Sequence, residues 1–162
     1  MRWFVVVAVI VLLTACQSES DSNTVNIETN GIVLDIYKTE TCGCCGIWAD
    51  YMQAKGYTVN IHHPADLNQI KQQYGIDPQW QSCHTAVSDG GYVFEGHIPE
   101  RFVKQFIEQA PMDAVGLVVP GMPLGSPGME MGDRFMAYDI SVLKKDGSVE
   151  VYASIQTASD QF

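Results

Sequence analysis

Apolar and polar positions divide the chain into three regimes. Residues 3–13 form an unbroken apolar run, residues 17–30 are polar with no sustained period, and from Gly31 short apolar runs alternate with polar segments. The β-branched stretch 32–37 predicts a buried strand. Thr41 is then placed to cap a helix with the body 47–55, stopped by Gly56. Residues 57–61 predict a second strand, and 65–74 a polar helix that ends at Gly75, with Pro78 marking the break after it. Two strand-like runs, 85–87 and 92–94, flank Ser88, Asp89, Gly90 and Gly91, which predicts a hairpin. Pro99 opens a helix over 100–109, in which Phe102, Val103, Phe106 and Ile107 recur at helical spacing.

The order β-α-β-α-β-β-α over 32–109 is that of an α/β, thioredoxin-like domain. Beyond it lie an apolar run at 115–119, a loop rich in Met, Gly and Pro over 121–132, and a C-terminal β-hairpin extension, 137–143 with 149–155, turning at Asp146 and Gly147. No internal repeat is visible. With 162 residues, 46% hydrophobic and 17% charged, the chain suits one globular domain. Asp and Glu number 19 against 9 Lys and Arg. That excess argues against nucleic acid and against an anionic membrane surface as partners.

The first regime bears on compartment. An apolar run of 11 residues is too short for a finished membrane span but fits a secretory leader. Leu13, Thr14, Ala15 and Cys16 look like a bacterial lipobox, in which Cys16 is lipidated and becomes the first mature residue. Gln17 at the next position resembles lipoproteins sorted to the outer membrane. The expected organisation is a signal peptide at 1–15, a lipidated Cys16 with a flexible tether to 30, and a metal-binding domain over 31–157. The expected location is the periplasm, with the lipid as the sole membrane contact.

With Cys16 lipidated, four of the five cysteines remain: Cys42, Cys44, Cys45 and Cys83. Cys42 and Cys45 stand in C-x-x-C spacing at the mouth of the first helix, where free amides and the helix dipole favour thiolate. That place suits a redox couple and a soft metal equally. Cys44 inside the motif leaves a third thiol beside any Cys42–Cys45 disulfide, which invites exchange. The Ser82-Cys83-His84 segment leads into the third strand, where a thioredoxin-like fold normally carries a cis-proline, and no proline lies between Pro78 and Pro99. If the topology holds, Cys83 and His84 approach the helix mouth. Four clustered thiolates call for a cation, Cu(I) first and Zn(II) next, and bridging thiolates can hold more than one Cu(I). The competing readings are two structural disulfides in an oxidising compartment, and a disulfide oxidoreductase in which Cys42 attacks and Cys45 resolves.

The loop at 120–131 adds thioethers on a segment kept out of helix and strand. Met122 and Met129 are candidate helper ligands for Cu(I), and Met52 on the first helix reads as core. His84 is the candidate ligand or supporting donor among the histidines. His62 and His63 read as solvated edge residues, and His97 as a turn residue with a local hydrogen bond. Trp48 and Tyr51 read as packing.

Cys42-Gly-Cys44-Cys45-Gly46 with Trp48, Ser82-Cys83-His84-Thr85-Ala86, Glu95-Gly96-His97-Ile98-Pro99 and the 120–130 segment together resemble the CopG-type proteins of bacterial copper resistance. These are unrelated to the ribbon-helix-helix repressors of the same name. The resemblance spans about residues 32–152. It implies a thioredoxin-like fold, a periplasmic role in copper handling, and metal-binding cysteines at Cys42, Cys44, Cys45 and Cys83. The leading expectation is therefore a copper-binding lipoprotein that holds Cu(I) and exchanges copper with periplasmic donor or acceptor proteins, with interconversion of Cu(I) and Cu(II) as a variation within it. The alternatives are the oxidoreductase and a disulfide-stapled envelope lipoprotein.

Overall fold

A computed structural model describes residues 31–162; the expected leader, the lipidated Cys16 and the tether lie outside the described residues. The described residues form a mixed α/β domain of seven strands and three α-helices. In order these are β1 (Val33–Lys38), α1 (Gly43–Ala54), β2 (Thr58–His62), α2 (Leu67–Gln73), β3 (His84–Ser88), β4 (Val93–Glu95), α3 (Glu100–Gln109), β5 (Ala114–Val118), β6 (Tyr138–Lys144) and β7 (Val149–Ile155). Short 3₁₀ turns occupy Pro78–Trp80 and Ala158–Gln161.

All seven strands share one sheet, in the order β2-β1-β3-β4-β5-β6-β7. β1 pairs parallel with β2 and antiparallel with β3, and β3 pairs antiparallel with β4. The C-terminal hairpin is not an appendage: β5 lies parallel to β4 and carries β6 and β7 into the same sheet. The parallel pairs demand crossovers, and α1 and α3 supply them.

Alternation along the strands sends neighbours to opposite faces. Leu34, Ile36, Ala86, Phe94 and Leu117 meet Trp48, Met52, Phe102 and Phe106 from α1 and α3 in the main core. Val93, Val118, Ile76 and Leu143 build a second cluster on the other face, with Tyr74 and Trp80 against it. Phe94 and Phe106 are fully buried and contribute roughly 1.5–3 kcal/mol each.

Two helix starts differ from expectation. Cys42, not Thr41, occupies the cap of α1, in extended conformation and without a side-chain cap bond. A thiol is a weak acceptor, so the first turn owes its position to tertiary packing. α2 begins at Leu67 rather than at 65, because the Asp66 carboxylate accepts from the Asn68 amide at 2.9 Å and sets the cap there. The chain end is also tied down. Gln161 is buried; its Nε2 donates to the Gly125 carbonyl at 2.9 Å, and its Oε1 accepts from the Tyr138 hydroxyl at 2.8 Å. No peptide bond is cis among the described residues, so the segment before β3 carries no cis-proline. Among the same residues no helix is long and apolar enough to cross a membrane.

Candidate metal centre

Cys42, Cys44 and Cys45 lie on the cap and first turn of α1, a local arrangement that helical geometry alone produces. Cys83 comes from the residue before β3. One sulfur from each of Cys42, Cys44, Cys45 and Cys83 falls within 4.8 Å of the others. Cys42 and Cys45 are joined as a disulfide, with Cα atoms 5.5 Å apart, while Cys44 and Cys83 are free thiols. Cys44 Sγ lies 3.5 Å from Cys42 Sγ, the third thiol beside the pair. Cys45 is buried, and its sulfur lies 3.6 Å from the Cys83 carbonyl oxygen.

Cys83 also belongs to a second group. Cys83, His84 and His97 bring one donor atom each within 4.8 Å of one another. His97 Nε2 is 3.1 Å from Cys83 Sγ, and His84 Nδ1 is 3.5 Å away. His97 Nδ1 bonds the Pro127 carbonyl at 2.8 Å. A carbonyl only accepts, so Nδ1 carries the proton and Nε2 presents its lone pair to the sulfur. His97 is therefore no mere turn residue: it ties the methionine-bearing loop to Cys83. The sequence signal for it was weak, since nothing in Gly96-His97 marks burial.

Burial favours the uncharged forms of Cys83, His84 and His97 in the metal-free cluster. Burial, reinforced by the Cys44 sulfur, pushes the Cys83 thiol up to about 11. Burial first, then His97, Lys71 and Lys38, holds His84 well below the ordinary histidine value. Burial lowers His97 too, against the opposing pull of the Pro127 carbonyl. Neutral imidazoles are the ligating form. His84 is fully buried beside Trp48, ring centroids 4.6 Å apart, and its Nε2 has no hydrogen-bond partner among the described residues. An orphaned buried nitrogen is costly, and it fits a site whose remaining partner is not a protein group.

Two glycines let backbone into this space. Gly96 has φ +84°, and a Cβ there would stand 2.4 Å from the Val119 carbonyl oxygen and 2.7 Å from Ser82 Cβ. Gly128, also at φ +84°, would meet the Cys44 carbonyl oxygen at 2.9 Å and the Trp48 amide nitrogen at 3.0 Å. The loop therefore lies directly on α1. Of its thioethers, Met122 is exposed and Met129 half-buried. Met52 and Trp48 are core, and Trp48 Nε1 donates to the Ile98 carbonyl at 2.9 Å. His62 is exposed and bonds Asp35 at 2.8 Å.

A mixed α/β domain that gathers four sulfurs and two imidazoles has the donor set of a soft-metal protein. Comparison makes this specific. The family described as "Protein of unknown function, DUF411" matches residues 80–129. Two solved structures, titled copper resistance protein copG forms 2 and 1, are 40% and 41% identical to the chain, with TM-scores of 0.72 and 0.71. Each covers 76% of this chain, and the match takes in 98% and 96% of theirs. No curated protein matches. The chain belongs to the CopG family of copper-resistance proteins.

Proposed function

We propose that this protein is a thioredoxin-like copper-binding lipoprotein of the periplasm, anchored through a lipidated Cys16 and serving copper resistance.

 The expected sorting is to the outer membrane, and the expected partners are periplasmic proteins that give or take copper. The reading rests on one observation: four cysteine sulfurs lie within 4.8 Å of one another, and Cys83 also faces two imidazoles. The likeness to proteins titled copper resistance supports copper over zinc. Copper is cargo here. Reduced Cys42, Cys44, Cys45 and Cys83 would hold Cu(I), with bridging sulfurs able to share more than one ion. His84 and His97 Nε2 supply nitrogen donors, and Met122 and Met129 act as exposed and half-buried helpers on the loop. Nitrogen beside sulfur suits both copper oxidation states, which supports Cu(I)/Cu(II) exchange at this centre.

The test is an anaerobic Cu(I) titration of the reduced protein against a competing chelator, following thiolate-to-copper absorption. Tight, saturable binding that is weakened in Cys83→Ser is the expected result. The Cys42–Cys45 disulfide favours a second reading, a thiol-disulfide oxidoreductase. Absence of Cu(I) binding, together with thiol turnover that survives Cys83→Ser, would select that reading instead.

A further inference from the structure

Behind Cys83, on the sheet face covered by α2, lies a charged group that copper binding does not use. Lys71 and Glu95 are 2% and 0% exposed and form an ion pair. Glu95 Oε1 accepts from the Ser82 amide at 2.6 Å, and Oε2 accepts from the Thr85 hydroxyl at 2.6 Å. Lys71 Nζ also donates to Thr85 Oγ1 at 3.1 Å. One carboxylate thus grips the residues on either side of Cys83-His84. Ser82 lies outside the β3 ladder and meets only an isolated bridge to Gly121, so the carboxylate takes the place of a strand neighbour for its amide.

A buried ion pair adds little stability over an apolar pair of similar size. What leucine and methionine at these positions lack is an acceptor for the Ser82 amide and the Thr85 hydroxyl together. We propose that Glu95, held by Lys71, is a positioning residue that fixes the Cys83 sulfur against the cysteine turn of α1. The proposal rests on the copper reading for its purpose, but the positioning itself is measurable without metal.

The test uses the full chain in its metal-free form with Cys42 and Cys45 oxidised, and follows alkylation of Cys83 by iodoacetamide with site-resolved mass spectrometry. In Lys71→Met/Glu95→Leu the rate rises about tenfold, as expected when charge-assisted hydrogen bonds are lost. Cu(I) affinity of the reduced variant falls about tenfold or more. Lys71→Met/Glu95→Gln, which restores an amide oxygen for Ser82, returns both values toward the wild type. A folded Leu variant with unchanged alkylation and unchanged affinity overturns the proposal. Should that variant not fold, Thr85→Val decides: it removes one grip and neither charge, and a wild-type alkylation rate in it overturns the proposal equally. Wild-type protein that fails to bind Cu(I), with alkylation still raised in the variants, sinks the copper reading and leaves the positioning role standing.

Discussion

The two sides of the cysteine cluster are built differently. On the α1 side, Cys42, Cys44 and Cys45 share one helical turn, Cys42 makes no side-chain cap bond, and Gly43 and Gly46 have open space where a Cβ would stand. On the β3 side, Cys83 is held by neighbours bonded to Glu95, by His97 fastened to Pro127, and by His84 packed on Trp48. The helix side supplies sulfur density through local geometry. The sheet side supplies a fixed wall. Preorganised ligands bind with less ordering cost, so the wall sets the geometry to which the helical turn adapts.

The sharpest test of that contrast is to remove sulfurs one at a time. Cys83→Ser is expected to lower Cu(I) affinity about a hundredfold, a share of metal-binding energy comparable to one ligand of four. Cys44→Ser should cost no more, and chelator competition measures both. Less than tenfold for Cys83→Ser would make the wall a bystander. Next comes Gly128→Ala, where the new Cβ meets Cys44 and Trp48 backbone at a positive φ. It should destabilise the protein by about 2 kcal/mol, read by urea unfolding.

Acidity probes the wall as well. In the metal-free protein the Cys83 thiol, raised to about 11, keeps its proton at neutral pH. Binding a metal ion releases that proton, so affinity falls as pH falls, by about tenfold per unit between roughly pH 6 and 9 from Cys83 alone. Competition titrations at stepped pH measure the slope; a flat profile would remove Cys83 from the ligand set. His84→Leu deletes an unpartnered buried nitrogen and should stabilise the metal-free protein by about 1 kcal/mol while weakening copper binding. Thermal unfolding with and without Cu(I) separates the two. His62→Ala, on the exposed edge, should change stability by less than about 0.5 kcal/mol and leave copper binding untouched.

The same contrast explains what the chain disclosed in advance. Period and punctuation placed six of the seven strands within a residue or two, with β5 marked only as an apolar run at 115–119, and α3 at Glu100–Gln109 as expected. The cysteine turn was legible because its sulfurs are contiguous in sequence. Cys83 and His84 were reached by reasoning about topology, since the strand order brings the start of β3 beside the end of β1, where Lys38 pairs with His84. His97 was misjudged. Its neighbour sulfur is 14 positions away and its carbonyl partner 30, and no local pattern encodes either contact. Lys71 and Glu95 were invisible for the same reason: a lysine in a polar helix looks solvated until the sheet is assembled over it.

The bond from Gln161 to Gly125 reaches further than its position suggests. Gly125 lies three residues from Gly128, whose backbone rests on the cysteine turn, and the loop between them includes Pro127, the anchor of His97. Proteolytic trimming before Ala158 would therefore loosen metal retention without touching a ligand, and an affinity tag joined at Phe162 would press on the same linkage.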